Sequence, residues 1–110
     1  MNKGDIVLVP FPFTDMSGVK VRPALVLMTS DADLTLCFIT SKQTTSDELD
    51  VEVAPSKQNG LKFTSVIRTF KLATISMDIA VGLLGRIAID EHAEVLMKIA
   101  RRMEIYQQTA

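Results

Sequence analysis

Arg22 and Thr40 are the two residues of this sequence whose types and positions best fit chemistry on a phosphate group. Arg22 precedes Pro23, and a residue before proline is biased toward an extended conformation, which would present the guanidinium in a fixed direction. That planar fork stays charged and can bind two phosphate oxygens at once. Thr40 and Ser41 end a strand-like run, where their hydroxyls can donate hydrogen bonds to the same oxygens or position a substrate hydroxyl.

Further cations could extend such a site along a single-stranded RNA. The formal net charge is −1, yet residues 1–55 hold four Lys/Arg against eight Asp/Glu, whereas residues 56–110 hold eight against five. A local basic strip is enough for a short single strand, and the candidates are Lys57, Lys62, Arg68, Lys71 and Arg86, joined in space by Lys20, Arg22 and Lys42. We predict RNA contacts for Lys20, Lys42 and Lys71. A solvated surface of mixed charge is the alternative.

The elements that must position these residues are mainly strands. Residues 5–9 and 24–28 are near-continuous aliphatic runs, which predict two strands buried on both faces. Pro10 and Pro12 lack the N–H of a ladder, so we expect the chain to leave the sheet there as an exposed loop. Strands are also predicted over residues 34–40, 50–54, 63–70 and 72–76. The alternation in 50–54 is typical of an outer strand, and a short helical turn within 77–84 precedes a last strand over 85–89.

An amphipathic helix is predicted over residues 91–106, with Asp90 as its N-cap. Glu94 and Lys98 are expected to pair on its outer side. One apolar stripe recurs at helical spacing and predicts the packed face: Leu96, Ile99, Ala100, Met103 and Tyr106. The fold class is therefore α+β and mainly β, a small barrel closed by a C-terminal helix, in a single domain over residues 1–110.

Composition excludes several classes. The chain has 110 residues, 47% of them hydrophobic, and no apolar run approaches the roughly 20 residues of a membrane span. No secretory signal is recognised, so a cytoplasmic protein is expected. Cys37 and His92 are the only residues of their types, and neither forms a metal cluster or a Cys–His pair. We therefore expect no cofactor. A nuclease that uses no metal must act on RNA, because RNA supplies its own nucleophile, the 2′-hydroxyl.

Four segments carry a family resemblance: GDIVLV at residues 4–9, RPALVL at 22–27, ITS at 39–41 and SVIR at 65–68. In this order they resemble the MazF/PemK family of toxin ribonucleases. The resemblance implies a small SH3-like barrel of the CcdB–MazF type with a C-terminal helix. It also implies a homodimeric, sequence-selective endoribonuclease toxin of a type II toxin–antitoxin system, which cleaves single-stranded mRNA and is neutralised by a cognate antitoxin.

The family motifs assign catalysis to Arg22 and Thr40, and phosphate or base contacts to Ser41 and Arg68. Some members carry an acidic residue two positions after the last arginine, where this chain has Phe70. The first loop also lacks the histidine of some members and offers only Asp15 as an ionisable group. The general base and acid, the RNA motif and the antitoxin are therefore not identified by the sequence.

Other interpretations stay open at this stage. A CcdB-like gyrase-binding toxin shares the architecture but acts through specific C-terminal residues, and a catalytically weak or inactive relative would show the same motifs. A peptide-binding small barrel normally displays an aromatic groove, whereas this chain has no Trp and one Tyr. Arg22 could be a structural arginine paired with Asp5 or Asp15. A homodimer is expected because the first two strands are apolar on both faces. The small core can cover only one of these faces, so the other face needs a partner chain.

Overall fold

Six antiparallel strands form one curled sheet in the order β4-β5-β3-β2-β1-β6. The structure is a computed structural model that describes residues 1–11, 20–41 and 47–104. In chain order the strands are β1 (Asp5–Phe11), β2 (Lys20–Thr29), β3 (Asp33–Ser41), β4 (Val51–Val53), β5 (Ser65–Ser76) and β6 (Gly82–Arg86). A 3-10 helix (Met77–Ile79) precedes β6, and the helix α1 (Ile89–Arg102) follows it. The predicted α+β, mainly β fold class is confirmed, and β4 is an edge strand as predicted.

Two hydrophobic clusters lie on opposite faces of the sheet. Alternation along β1 and β2 sends neighbouring side chains to opposite faces, so that Ile6 and Leu25 belong to the first cluster and Val7 and Ala24 to the second. The prediction of strands buried on both faces is therefore confirmed. Helix α1 covers the first cluster through Val95 and Ile99.

Strand β1 continues through Pro10, so the expectation that the chain leaves the sheet at Pro10 is wrong. Pro10 pairs in register with Val21 of β2. The Leu8 carbonyl accepts a hydrogen bond from the Val81 N–H at 2.9 Å, so the backbone polar groups of Leu8 point toward β6. Those of Pro10, two residues later, point to the same side rather than toward β2. Because β6 pairing ends at Gly82 opposite Leu8, the missing N–H of Pro10 falls beyond the β6 ladder.

Two other strand boundaries differ from the prediction. The chain predicted as strands over 63–70 and 72–76 is one long strand, β5, which begins only at Ser65. Its first part pairs with both β3 and β4, and its second part pairs with β3 alone. Strand β6 begins at Gly82, three residues before the predicted start.

Helix α1 packs on a different stripe from the one predicted. Its buried residues are Val95 and Ile99, whereas Leu96 and Met103 are 45% and 70% exposed. Ile99 belongs both to the predicted stripe, with Leu96, and to a second stripe, with Val95. The helix docks on the sheet through the second stripe. The helix begins at Ile89 with Ala88 as N-cap, so the prediction of Asp90 as N-cap is wrong, although Asp90 still lies in the favourable first turn. The predicted Glu94–Lys98 pair is confirmed at 3.0 Å.

Some predictions fall on residues that the structure does not describe: Lys42, Asp15, Tyr106 and the C-terminal residues on which the gyrase-binding alternative depends. Within the described ranges, no helix is both long and apolar enough to cross a membrane.

Candidate functional site

Strands β2 and β3 bring Arg22 and Thr40 to the same end of the sheet. The β2–β3 ladder ends at Ala24 opposite Phe38, and Arg22 and Thr40 each lie two residues beyond that pair. Strand alternation places each of them on the same face of the sheet as that pair. Both residues are half-buried. The two positions predicted to be catalytic therefore lie at the same end and on the same face of the sheet.

A cleft of about 470 Å³ lies at this end of the sheet. Strand alternation directs Arg22 and Thr40 to one face and Ser41 to the other, and all three border the cleft at the sheet end. The other lining residues are Leu8, Val21, Pro23, Ile39, Gly60, Leu61, Lys62, Phe63, Ser65 and Leu84. The predicted residues Arg22, Thr40 and Ser41 thus share one concave site.

One wall of the cleft is the loop over residues 54–64, which is organised by the buried side chain of Asn59. Its Oδ1 accepts hydrogen bonds from the N–H groups of Ser56 and Leu61, and its Nδ2 donates to the Ala54 carbonyl, each at 2.9 Å. The Asn59 N–H in turn donates to Ser56 Oγ at 3.0 Å. These bonds satisfy the polar groups of a loop that runs against the core, where an unpaired group would be costly.

Close backbone contact locks this loop onto β6. Gly60 has φ +72°, and a Cβ at that position would lie 2.3 Å from the Leu84 carbonyl oxygen. A Cβ on Gly85 would lie 2.4 Å from the Asn59 carbonyl carbon and oxygen, and the Arg86 N–H donates to the Gln58 carbonyl at 2.8 Å. Only glycine allows so close an approach, which fixes the cleft wall relative to the sheet.

The polar chemistry of the cleft is cationic and hydroxylic. The lining includes the cations Arg22 and Lys62 and the hydroxyl-bearing residues Thr40, Ser41 and Ser65. The Nε atom of Arg22 is buried, so the base of the guanidinium is held within the protein. Of the described residues that line the cleft, none is Asp, Glu or His. This set suits an anionic ligand that needs charge neutralisation and hydrogen-bond donors.

The remaining predicted RNA contacts lie outside the cleft lining. Lys20 is exposed at the start of β2, and Lys71 is exposed in the middle of β5. Arg68 has a 39% exposed side chain whose Nε lies 3.2 Å from Asp50 Oδ2. Lys20, Arg68 and Lys71 are therefore not among the residues that line the cleft, although Lys20 lies two residues from Arg22 on β2.

The predicted basic strip is also divided by ion pairs with carboxylates from the acidic half of the chain. Arg86 Nη1 lies 2.6 Å from Asp5 Oδ1, and Asp5 Oδ2 accepts a hydrogen bond from the Asn2 N–H at 2.8 Å. Asp5, one of the two partners considered for a structural Arg22, is thus engaged with Arg86. A count of charges along the chain did not predict that Asp5, from the acidic half, neutralises Arg86, from the basic half.

Asp50 is the centre of a second polar cluster, away from the cleft. Its side chain is 2% exposed, and Oδ1 accepts from the Thr69 N–H at 3.1 Å and from Arg102 Nη2 at 3.4 Å. Arg102 also donates from Nε to Thr69 Oγ1 at 2.7 Å and pairs with Asp47 at 3.0 Å. This cluster fastens the C-terminal end of α1 to β5 and the chain before β4.

Phe70 lies on the outer side of that cluster. Its ring is 5.7 Å from the guanidinium carbon of Arg102, and the side chain is 74% exposed. Phe70 stands where some members of the resembled family carry an acidic residue, and it is not part of the cleft lining.

Neither Cys37 nor His92 lines the cleft. Burial raises the pKa of the Cys37 thiol to about 12, with a further contribution from Asp50, and the thiol donates to the Arg68 carbonyl at 3.1 Å. Burial lowers the pKa of His92, and the nearby charges of Arg86 and Lys3 lower it further. Among the residues that the structure describes, no three His, Cys, Asp or Glu side chains are grouped to hold a metal ion.

The model of one protein family matches residues 2–103 of this chain: the PemK-like, MazF-like toxin of type II toxin–antitoxin systems. The chain belongs to this family. It is therefore a type II toxin by family, as the sequence motifs predicted, and the family is one of endoribonucleases. No curated protein sequence matches the chain significantly.

Solved structures of toxins share the fold of this family member. The MazE–MazF complex (Form-III) of Deinococcus radiodurans superposes with a TM-score of 0.75 at 22% identity, covering 96% of this chain and 98% of the other. The Mycobacterium tuberculosis toxin MazF-mt6 gives 0.73 at 19% identity, with 93% and 98% covered. A mycobacterial endoribonuclease in complex with its cognate antitoxin gives 0.74 at 16% identity, with 94% of each chain covered.

Sequence reasoning missed the contribution of the 54–64 loop to the site. The sequence predicts Lys62 only as part of a general basic strip and Phe63 as the start of a strand, whereas both lie in the loop that lines the cleft. One signal was available: a cation beside an aromatic side chain is the combination with which single-strand-binding proteins contact a nucleotide.

Proposed function

We propose that this toxin is a metal-independent, sequence-selective endoribonuclease that cleaves single-stranded messenger RNA. One observation carries the proposal: Arg22 and Thr40 lie beyond the last pair of the β2–β3 ladder and both border one cleft, whose lining includes cationic and hydroxyl-bearing residues. Charge develops on the phosphate oxygens when a phosphodiester is attacked, and fixed donors at that point stabilise the transition state. Family membership supports the ribonuclease class.

In the proposed reaction, the ribose 2′-oxygen attacks the adjacent phosphorus and the bond from phosphorus to the 5′-oxygen breaks. The 2′-hydroxyl loses its proton and the departing 5′-oxygen gains one, so the products are a 2′,3′-cyclic phosphate and a 5′-hydroxyl. Arg22 binds two non-bridging oxygens through its planar fork. Thr40 and Ser41 donate hydrogen bonds to the phosphate or orient the 2′-hydroxyl. DNA lacks the nucleophile and is not a substrate.

Further cations contact the flanking nucleotides in this proposal. Lys20, Lys42, Arg68 and Lys71 each bind a phosphate of the bound strand. Such contacts add affinity that falls with salt and carry little sequence information. Of these residues, Arg68 is already paired with Asp50, and the outer part of its half-exposed guanidinium contacts RNA.

The protein acts in the cytoplasm, where mRNA is its target, and a cognate antitoxin neutralises it. Antitoxin complexes of structural neighbours from Deinococcus radiodurans and a mycobacterium support the second statement. We also propose a homodimer, although the reason given for it in the sequence analysis is wrong, since the chain itself buries both faces of β1 and β2. Exposed apolar side chains beside β6 support the dimer instead: Val81 is 61% and Leu83 62% exposed.

The test is cleavage of a long RNA transcript of mixed sequence by purified protein, followed by mapping of new 5′-hydroxyl ends. We expect discrete ends that survive EDTA, with 2′,3′-cyclic phosphate on the other side of each cut. An oligonucleotide spanning a mapped site is then compared with its all-deoxy counterpart, and Arg22→Ala protein purified in parallel controls for contaminating nuclease. Loss of cleavage on chelation, cleavage of the deoxy strand, or equal cleavage by the variant contradicts the proposal.

A further inference from the structure

Phe63 is a large aromatic side chain that the fold leaves in solvent. It is 69% exposed and lies in the wall of the cleft that Arg22 and Thr40 border. Burial of an aromatic ring stabilises a fold, and this chain leaves that stabilisation unused at Phe63.

The backbone that carries Phe63 is fixed on both sides. Leu61, two residues before it, is 8% exposed and belongs to the first hydrophobic cluster. Ser65, two residues after it, is buried and donates from Oγ to the Phe63 carbonyl at 2.8 Å. The ring is therefore presented by an ordered segment, so a ligand that stacks on it does not have to order the loop first.

The surroundings of the ring match one nucleotide of a single strand. Leu8, Val21 and Leu84 give the cleft an apolar floor, while Lys62 and Arg22 supply positive charge. Single-strand binding proteins combine the same two elements, an aromatic face for the base and cations for the backbone. A peptide ligand would be served by the apolar floor but would leave the adjacent cations without a role.

We propose that Phe63 is the stacking platform for one unpaired nucleobase next to the phosphate held at Arg22, and that Lys62 binds the neighbouring phosphate. This inference rests on the proposed ribonuclease function and adds a base subsite to it. Every base has a π-face, so stacking on Phe63 contributes affinity and register rather than sequence selectivity. Phe63 is thus a positioning residue, and its loss raises KM more than it lowers kcat.

The experiment uses an RNA oligonucleotide spanning a mapped cleavage site, with a 2′-O-methyl group at the cleaved position to block reaction. 2-Aminopurine replaces each flanking base in turn, because its fluorescence is quenched when it stacks on an aromatic ring. Phe63→Leu removes the π-face and keeps an apolar side chain. Phe70→Leu is the matched control, since Phe70 is equally exposed, at 74%, and does not line the cleft.

We expect Phe63→Leu to weaken binding of the blocked RNA by about 5- to 150-fold and to abolish quenching at one position only. Phe70→Leu leaves both unchanged. An abasic residue at the quenched position should weaken binding to the wild type but not further to Phe63→Leu, because ring and base act as a pair. Phe63→Trp should retain quenching.

Two outcomes overturn the subsite alone. In the first, wild-type protein binds and cleaves RNA, but Phe63→Leu matches Phe70→Leu in affinity and quenching. In the second, Phe63→Leu changes the sedimentation coefficient, which would show that the ring serves self-association. Wild-type protein that binds no RNA at all would overturn the proposed function, and the subsite with it.

Discussion

The Nε atom of Arg68 lies 3.2 Å from Oδ2 of Asp50, a carboxylate that is 2% exposed. Asp50 also accepts hydrogen bonds from the Thr69 N–H and Arg102. The arginine of the SVIR motif therefore has a structural partner in this chain in addition to its proposed role toward RNA. Removal of Asp50 would leave two guanidinium groups without their buried counter-charge.

We expect Asp50→Ala to lower the free energy of unfolding by about 1–3 kcal/mol, because it leaves the buried Thr69 N–H without its acceptor, while Arg102 keeps its pair with Asp47. Arg68→Ala should cost at most about 1 kcal/mol, since solvent screens its 39% exposed side chain. Urea unfolding followed by circular dichroism measures both. The assignment of Asp50 as the centre of the cluster fails if the two variants lose equal stability.

Arg68→Ala also tests the proposed phosphate contact. A phosphate contact to a single strand contributes about 0.7 to the slope of log affinity against log salt concentration. We expect the magnitude of that slope to fall by about this amount in Arg68→Ala. The affinity for the 2′-O-methyl-blocked RNA is measured between roughly 50 and 200 mM salt. A variant with reduced stability but an unchanged slope would restrict Arg68 to its pair with Asp50.

A pair of glycines in β6 tests whether the 54–64 loop is a fixed wall of the cleft. A Cβ on Gly85 would lie 2.4 Å from the backbone of Asn59, whereas a Cβ on Gly82 would meet only Leu8 Cδ1 at 3.9 Å. We expect Gly85→Ala to cost roughly 1–3 kcal/mol of stability, because backbone must move to admit the methyl group. It should also weaken RNA binding, since the displaced loop carries Lys62 and Phe63.

Gly82→Ala is the matched control on the same strand and should change neither quantity appreciably. Thermal unfolding and affinity for the blocked RNA are measured on the same preparations. If Gly85→Ala lost stability yet bound RNA with wild-type affinity, the loop would not be part of the binding surface.

His92 gives the folded state a dependence on pH. Burial, followed by repulsion from Arg86 and Lys3, holds the pKa of His92 below its usual value, so the unfolded chain takes up the proton more readily than the folded one. The contribution of His92 to the free energy of unfolding is therefore largest above the unfolded pKa of about 6.5, and it falls as the pH drops below that value. Because the chain has one histidine, this part of the profile belongs to His92.

We expect His92→Gln to flatten the unfolding free energy between about pH 7 and pH 5.5, even if it lowers stability throughout. Urea unfolding at several pH values measures the slope for both proteins. Parallel slopes would show that His92 titrates alike in the folded and unfolded states.

The positions of Arg22 and Thr40 could be predicted from the sequence because they depend on local features. Proline after Arg22 favours an extended conformation there, and the apolar run before Thr40 predicts the strand that ends next to it, at Ser41. The pairing of Arg68 with Asp50 could not be predicted in this way, since it joins residues on different elements that become neighbours only when β4 docks on β5.

The helix face shows the same limit. Val95 and Leu96 are adjacent and both apolar, and either stripe through Ile99 satisfies helical periodicity. The choice is made by tertiary contacts: Val95 and Ile99 pack into the first hydrophobic cluster, and Arg102 donates a hydrogen bond to Thr69 at the end of α1. Periodicity predicts that a helix packs, and the sheet beneath it decides which side faces inward.

Arg22 provides the most direct test of the proposed mechanism. If its fork binds the phosphate oxygens in the transition state, Arg22→Ala should reduce single-turnover cleavage by about 100- to 1000-fold. Arg22→Lys should recover little of that loss, because a point charge does not reproduce two parallel hydrogen bonds. Thr40→Val, which removes the hydroxyl at similar volume, should lower the cleavage rate more than the affinity for RNA.

The competing interpretation, a structural arginine, makes the opposite forecast for the same proteins. Loss of a purely structural pair would lower the melting temperature and leave cleavage per folded molecule unchanged. Melting and single-turnover cleavage are therefore measured on each preparation, with Gly82→Ala as a folded, active control. A destabilised but fully active Arg22→Ala protein would remove Arg22 from the catalytic site, and with it the proposal that Arg22 and Thr40 together build the reaction centre.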